Sequence, residues 1–196
     1  MFLVIFKMEN LDEIDRDFFS EYGIFIVLYD QICNCIRANI TGLIGIDHKA
    51  YIDILLEGLT AQPLMDKWYG LYIQQHQGDM DGILIMKRIK NLFENLQRIR
   101  NSISHGSTFL GSLEKGKADR TIFTLTHPKI TAKGYDERRK VIAIKDLKKL
   151  NDDMLTFQSC LDCWPVIHQF EPFVPNPIET IQNMLASVKF ELKSLE

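Results

Sequence analysis

The first part of the chain mixes apolar with acidic residues and then becomes strongly apolar, a pattern that favours helices. It predicts a short helix from Leu11 to Ser20, a long apolar helix from Tyr22 to Leu43 and a third helix from Lys49 to Leu59. The β-branched residues between Ile24 and Leu28 keep a strand open as an alternative at that point. The first 59 residues are therefore predicted to be mainly helical.

Two further helices are predicted before residue 106. Thr60 can cap a helix that has Pro63 in its first turn and runs to about Gln75, after which residues 76–82 have the composition of a turn. The clearest helix of the chain runs from Ile83 to His105 and ends before Gly106. Its apolar positions form one stripe, at Ile85, Ile89, Leu92, Phe93, Leu96, Ile99 and Ile103.

The pattern changes to alternation after this helix. Two segments rich in β-branched residues, Arg120 to Thr126 and Lys140 to Ile144, predict a β-hairpin with a long loop or two paired edge strands. Residues 106–117, between the helix and the first of these segments, are interpreted as a loop. Because two strands alone are marginally stable, the hairpin should pack on the helical body.

Helical spacing returns from Lys145 to Trp164, and the proline-rich stretch that follows is predicted to end that helix. A last amphipathic helix is predicted from about Ile178 to Leu195. The expected fold class is therefore mainly α, a helical bundle with a small β-hairpin insertion at about residues 120–144. The whole chain, residues 1–196, is expected to form a single domain.

Composition places the chain among ordinary globular proteins. Its 196 residues are 46% apolar and 25% charged, which is enough to bury a core. The N-terminal MFLVIF lacks the features of a secretory signal, and the longest apolar runs are too short to cross a bilayer. We therefore expect a cytoplasmic protein without a membrane partner, whose four cysteines are reduced.

The cysteines offer one alternative chemistry. Cys33 and Cys35, together with Cys160 and Cys163, could supply four thiolates to a zinc ion. Both pairs lie within apolar helical patterns and no turn residues surround them, so we interpret them as core residues. No metal and no cofactor are predicted.

Charge is distributed unevenly along the chain. The protein has a net charge of −3, yet the segment from Ile83 to Leu150 has 16 basic and 6 acidic residues, a net charge of +10. The remainder carries a net charge of −13. This asymmetry favours an anion-binding face, although a solvated lysine-rich surface would give the same count. The candidate anion contacts on the long helix are Lys87, Arg88, Lys90 and Arg98.

The most informative string is RNSISH, residues 100–105, at the end of the long helix. Asn101 and His105 are four positions apart, so they differ by about 40° around a helix axis and share a face. Arg100 lies about 140° from His105, an angle that its long side chain can largely bridge. Arginine matches the geometry of phosphate, and histidine can exchange a proton near neutral pH.

This set of side chains suits metal-independent cleavage of RNA. His105 would take the proton of the ribose 2′-hydroxyl, Arg100 would stabilise the charge that develops at phosphorus, and Asn101 would orient the phosphate. DNA lacks the hydroxyl, so the mechanism would select RNA. One copy of the motif supplies only one group for proton transfer. The mechanism therefore predicts a homodimer that brings two copies together.

The string also resembles the motif of the HEPN superfamily of nucleases, in which an arginine, often followed by a polar residue, precedes a histidine by four to six residues. Arg100, Asn101 and His105 match this motif position by position, and Arg98 fits the longer spacing without the polar neighbour. The resemblance implies a dimeric helical bundle with metal-independent endoribonuclease activity, often within a toxin–antitoxin or antiphage defence system. A cognate antitoxin would then be a further partner.

Two other hypotheses remain at this stage. Some HEPN proteins have lost catalysis, so the resemblance also allows an inactive module that binds RNA or a partner protein. The motif could also be structural, because cations near the C-terminus of a helix interact favourably with its dipole.

Overall fold

The computed structural model describes the backbone of residues 13–105, 107–114, 117–131, 134–169 and 176–192. Within these ranges it describes the side chains except those at positions 14, 46, 105, 107–114, 117–120, 127–131, 134–139 and 165–169.

Six α-helices and a small antiparallel sheet make up the described part of the chain. The helices are α1 (Glu13–Ile44), α2 (Lys49–Leu56), α3 (Ala61–Gln75), α4 (Met80–His105), α5 (Ile144–Gln169) and α6 (Pro177–Ser187). Helix α1 packs mainly against α5 and also against α3, which in turn packs against α4, while α6 contacts α4 and α5. The mainly α class that the periodicity predicts is confirmed.

Several predicted boundaries differ from those in the structure. The two helices predicted before Leu43 form one helix, α1, so the strand alternative near Ile24 is wrong. Helix α4 begins at Met80, within the predicted turn, and Asp79 accepts a hydrogen bond from the backbone nitrogen of Gly82 at 2.9 Å. This is the bond of an N-cap aspartate, and it satisfies one of the unpaired donors of the first turn.

The end of α5 is a correction with a clear physical reason. The helix continues to Gln169, through position 165, where the sequence predicts a break. A proline there has no N–H to donate to the carbonyl of Leu161, four residues earlier. Asn39, buried on α1, donates its side-chain amide to that carbonyl at 3.2 Å. A side chain from another helix thus replaces the missing backbone bond.

The last helix, by contrast, is shorter than predicted. Helix α6 ends at Ser187 rather than near Leu195, and residues 188–192 are not helical. Val188 and Phe190 are buried in the core. The apolar residues after Ser187 therefore pack on the bundle without continuing the helix.

The sheet contains three strands in the order β1 (Ser107–Glu114), β2 (Lys117–Thr131) and β3 (Gly134–Ala143). The predicted hairpin corresponds to β2 and β3, but these strands pair as far as Thr131 and Gly134, so the predicted long loop is wrong. Strand β1 lies where a loop was predicted. Its pairing register shifts between Leu110 and Ser112, and this irregularity interrupts the alternation by which a strand is recognised.

One continuous apolar core joins the helices to the sheet. Its largest fully buried side chains include Phe25, Trp68, Tyr72, Phe93, Phe123 and Phe157. The rings of Phe18 on α1 and Phe123 on β2 lie 5.0 Å apart, so the sheet packs on the helical body, as expected for so small a sheet. Strands β1 and β2 also contact α4, the helix whose C-terminal end carries the RNSISH string.

Candidate functional site

Arg100 lies in the last turns of α4 and turns its side chain towards α1. Its guanidinium carbon is 5.5 Å from the centre of the Tyr29 ring, within the range of a cation–π contact. One guanidinium nitrogen is also 3.4 Å from Oδ1 of Asn101, a long hydrogen bond. Ile103 on the core side of the helix is 1% exposed. The helix therefore separates a buried apolar stripe from a polar face, as the sequence predicts.

The polar face opens into a cleft of about 640 Å³ between α1, α4 and the beginning of α3. We call it the Arg100 cleft. Its walls are formed by Tyr29, Asp30, Cys33, Asn34, Arg37, Thr60, Ala61, Gln97, Arg100 and Asn101. Two of the three catalytic residues predicted from the sequence, Arg100 and Asn101, therefore line one cavity.

Two further features make this cleft electropositive. Arg37 on α1 lines it and donates a hydrogen bond to Oδ1 of Asn34 at 3.1 Å. Thr60 and Ala61, at the N-terminus of α3, line it as well, and the Thr60 side chain forms no capping hydrogen bond to the helix. A helix N-terminus presents backbone N–H groups and a partial positive charge, which favour anions. Asp30 is the carboxylate among the described lining residues, so two guanidinium groups face one acid.

Two ionisable groups under these arginines remain protonated near neutral pH. Burial raises the pKa of the Cys33 thiol to about 11, although the nearby charges of Arg37 and Arg100 act in the opposite direction. Burial is also the main reason that the pKa of the Tyr29 hydroxyl is raised. A thiolate nucleophile is therefore not available in the cleft at neutral pH. The described lining residues thus offer guanidinium, amide and backbone N–H groups, which are able to bind an anion such as phosphate.

His105 is the last residue of α4, but its side chain lies outside the described residues. The helical backbone is continuous from Arg100 to His105, which puts positions 101 and 105 about 40° apart around the axis. The backbone therefore places positions 101 and 105 on the same face of α4, as the sequence predicts. The role of the imidazole stays a prediction.

Arg98 does not join this site. It is two positions from Arg100, about 200° around the helix, and lines a separate pocket of about 340 Å³ with Lys140 and Phe190. Its guanidinium donates to Oδ1 of Asn95 at 2.6 Å. The two arginines of the predicted set therefore face different surfaces.

The basic residues in the first half of α4 are partly engaged within the protein. Lys90 forms an ion pair with Asp66 at 2.6 Å and lies 5.1 Å from the centre of the Tyr69 ring. Arg88 donates to the backbone carbonyl of Leu185, near the end of α6, at 3.0 Å. Lys87 is exposed. These residues do not line the Arg100 cleft, and their predicted contact with RNA stays a prediction.

The core interpretation of the cysteines is confirmed for Cys33 and Cys160, whereas Cys35 is only partly buried and the interpretation is wrong for Cys163. Cys33 and Cys160 are buried in apolar helices, Cys35 donates a hydrogen bond to Asp162 at 3.1 Å, and Cys163 is exposed. Among the side chains that the structure describes, no group of three or more histidine, cysteine or acidic residues could hold a metal ion. The four thiols therefore do not meet at one point.

Sequence reasoning missed Arg37, Tyr29 and the N-terminus of α3 as parts of the site. Arg37 did carry a signal, because it is the single basic residue in the apolar stretch from Tyr22 to Leu43. A cation retained in a helix that is otherwise so apolar indicates a polar surface nearby. Its distance of 63 positions from Arg100 hides the proximity of the two side chains, which depends on the packing of α1 and α4.

Comparison of the chain with protein-family models, with curated proteins and with solved structures gave no match. Within the described ranges, none of the helices combines the length and the apolar character needed to cross a membrane.

Proposed function

We propose that this chain is a metal-independent endoribonuclease of HEPN type that acts as a homodimer in the cytoplasm, with Arg100, Asn101 and His105 as its catalytic residues. The observation that carries the proposal is the Arg100 cleft. Arg100 and Asn101 line it beside a second arginine, Arg37, and beside the N-terminus of α3. These groups are the protein features that bind phosphate oxygens.

The proposed reaction is an attack within the RNA strand. His105 accepts the proton of the ribose 2′-hydroxyl, and the 2′-oxygen forms a bond to the adjacent phosphorus. The bond from phosphorus to the 5′-oxygen of the next nucleotide breaks, and that oxygen takes up a proton from an acid. The products are a 2′,3′-cyclic phosphate and a 5′-hydroxyl. Arg100 stabilises the negative charge on the phosphate oxygens while the new bond forms.

The cation–π contact with Tyr29 supports the role of Arg100. It holds the guanidinium group at the mouth of the cleft by the face of the Tyr29 ring, at 5.5 Å, and leaves the N–H fork at the edge of the guanidinium plane for a phosphate. A pre-positioned donor loses little conformational entropy when the transition state forms. The Tyr29 hydroxyl stays protonated because of its raised pKa, so it contributes no negative charge to repel the substrate.

A dimer is part of the proposal because cleavage requires a base and an acid. One feature that supports association is the exposed face of α2, where Tyr51, Ile54 and Leu55 are 68–71% exposed. Large exposed apolar side chains that cluster on one helix are typical of an association surface. We expect sedimentation at micromolar concentration to show a dimer. A fully active monomer would contradict the shared site. A neutralising antitoxin is the further partner that the proposal includes.

The experiment is RNA cleavage by the purified chain in EDTA, with wild type beside His105→Ala. We expect wild type to cleave a mixed set of single-stranded and structured RNAs, and His105→Ala to be slower by about 10²–10⁴-fold. Cleavage that requires a divalent metal would contradict the proposal, and so would equal cleavage by the variant. RNA that is bound but stays intact would favour the inactive binding module.

A further inference from the structure

A second cavity continues the Arg100 cleft along α1. It has a volume of about 440 Å³ and lies between α1 and α2, where its lining includes Thr41 and Lys49. Asn34 and Arg37 line both cavities. The two clefts therefore meet at Arg37, and we call the combined surface the α1 groove.

From this geometry we infer that the α1 groove holds a single strand of RNA, and that Arg37 binds a phosphate about two nucleotides from the one that is cleaved. The inference rests on the proposed function, because it takes RNA as the ligand of the Arg100 cleft. It adds the path of the strand and a positioning residue that the RNSISH motif does not contain. Arg37 would act on the chain that flanks the reacting phosphate and not on the reacting atoms.

The spacing of the two arginines along α1 fits phosphates that are about two nucleotides apart. The Arg100 guanidinium lies over Tyr29, and the Arg37 guanidinium reaches Asn34, five residues further along α1. Five residues of α-helix correspond to a rise of about 7.5 Å along the axis of α1. A stacked strand advances about 3.4 Å per nucleotide, so Arg37 would meet a phosphate about two nucleotides from the one at Arg100.

The shape of the groove favours a single strand. Its two cavities are open clefts between helices, and the larger one reaches inward to Cys33, which is buried. A duplex presents its phosphates and 2′-hydroxyls on a wide outer surface, whereas a single strand can enter a narrow groove and follow a line of cations. The face of Tyr29 is occupied by Arg100, so the contact to RNA at this point is made through the backbone and not by stacking of a base on that ring.

The charges along the groove are not fully neutralised. Arg37 bonds to a neutral amide, Asn34, and Arg100 bonds to a neutral amide, Asn101. Lys49 is different, because it forms an ion pair with Asp53 at the far end of the groove. Asp30 also lines the Arg100 cleft, so two guanidinium groups face one carboxylate and a net positive charge remains at this end of the groove.

The test measures binding of a fluorescent single-stranded RNA of about 15 nucleotides by the full chain carrying His105→Ala, which keeps the RNA intact. Into this background we would add Arg37→Ala, Arg37→Lys or Arg16→Ala. Arg16 is the matched control, since it is an exposed arginine of the same helix, 21 residues from Arg37 and about 31 Å away along the axis. Circular dichroism checks that each variant is folded.

We expect Arg37→Ala to weaken binding by about tenfold or more and to reduce the slope of log affinity against log salt concentration by about 0.7, the value for one lost contact to a single strand. Arg37→Lys should keep most of the salt slope because it keeps the charge. Arg16→Ala should change neither quantity. A duplex of the same sequence should bind more weakly than the single strand.

Two outcomes would overturn the inference, and they are distinguishable. If the protein binds and cleaves RNA but Arg37→Ala behaves like Arg16→Ala, the groove is wrong and the proposed function stands. If the wild-type chain neither binds nor cleaves RNA, the proposed function fails and the groove fails with it. Equal affinity for the duplex and the single strand would also contradict the path along α1.

Discussion

The two halves of α4 carry similar numbers of basic side chains, and the protein uses them differently. In the first half, Lys90 pairs with Asp66, and Arg88 bonds to the carbonyl of Leu185. At the C-terminal end, Arg100 contacts an aromatic ring and a neutral amide at the edge of an open cleft. The first group holds helices together, whereas Arg100 keeps its charge available for a ligand.

This difference shows why the count of charges along the sequence is a poor guide to a site. The segment from Ile83 to Leu150 has a net charge of +10, yet among its described cations Arg98 and Arg100 face different pockets and Lys90 has an acidic partner. Arg37 lies outside that segment and still joins the Arg100 cleft. What identifies a site is the set of cations that share one cavity and are not neutralised there.

The largest expected effect is on the rate of RNA cleavage, which should respond differently to substitutions in the two halves of α4. Arg100→Ala should reduce the rate of RNA cleavage by about 10²–10³-fold, the usual cost of removing a donor that stabilises charge in the transition state. Lys90→Ala should leave the rate within about twofold. The measurement is the single-turnover rate of RNA cleavage by Arg100→Ala and by Lys90→Ala. Arg100→Lys should recover little, because an ammonium group lacks the planar fork. Equal losses for Arg100→Ala and Lys90→Ala would remove the distinction between the two regions.

A smaller effect tests how deeply the Cys33 thiol, which lines the Arg100 cleft, is buried. The pKa of Cys33 is raised from 9.0 to about 11 in the folded protein, mainly by burial. The unfolded chain loses the Cys33 proton near pH 9, whereas the folded protein keeps it until about pH 11. The contribution of this thiol to the free energy of unfolding is therefore fully present below pH 9 and is lost as the pH rises to about 11. Two pKa units correspond to about 2–3 kcal/mol.

Urea unfolding at pH 8, 9, 10 and 11 measures this loss. Cys33→Ala should show a correspondingly smaller fall in the free energy of unfolding across this range. Cys163→Ala is the control, because that thiol is exposed and its removal should leave the pH dependence unchanged. A Cys33→Ala profile identical to wild type would mean that the thiol is open to water, and the cleft would then be deeper than described.

The smallest effect concerns the first half of α4, where basic side chains bond to other parts of the protein. Arg88→Ala removes the bond to the Leu185 carbonyl and should lower the free energy of unfolding by about 1 kcal/mol without changing RNA cleavage. Lys87→Ala, one position earlier and exposed, is the matched control and should change stability by less than about 0.5 kcal/mol. A loss of cleavage in Arg88→Ala at unchanged stability would assign Arg88 to the RNA site.

Local periodicity was enough to predict the helical body, because each helix buries one continuous apolar stripe. It failed where the decisive contact comes from elsewhere in the chain. The helix that passes through position 165 depends on Asn39, which lies on another helix and satisfies the Leu161 carbonyl. Strand β1 depends on pairing with β2 across an irregular register, so its own residues do not alternate clearly.

The residues of the candidate site likewise divide into those that the sequence could predict and those that it could not. Arg100 and Asn101 could be named from sequence because they are adjacent on one helix, and they do line one cleft. Arg98 lies about 200° from Arg100 around the helix and lines a different pocket, so its predicted contact with RNA stays a prediction. Arg37 and the N-terminus of α3 could not be assigned, since their approach to Arg100 is created only when α1, α3 and α4 pack together.

The most direct test of the proposed chemistry is the identity of the RNA ends produced in EDTA, read by mass spectrometry for wild type and His105→Ala. We predict a 2′,3′-cyclic phosphate and a 5′-hydroxyl from wild type, no cleavage by the variant in the same time, and no cleavage at a position where the 2′-hydroxyl is replaced by hydrogen. Intact RNA, products with a 5′-phosphate, or the same products from His105→Ala would contradict the assignment of Arg100, Asn101 and His105 as a ribonuclease site.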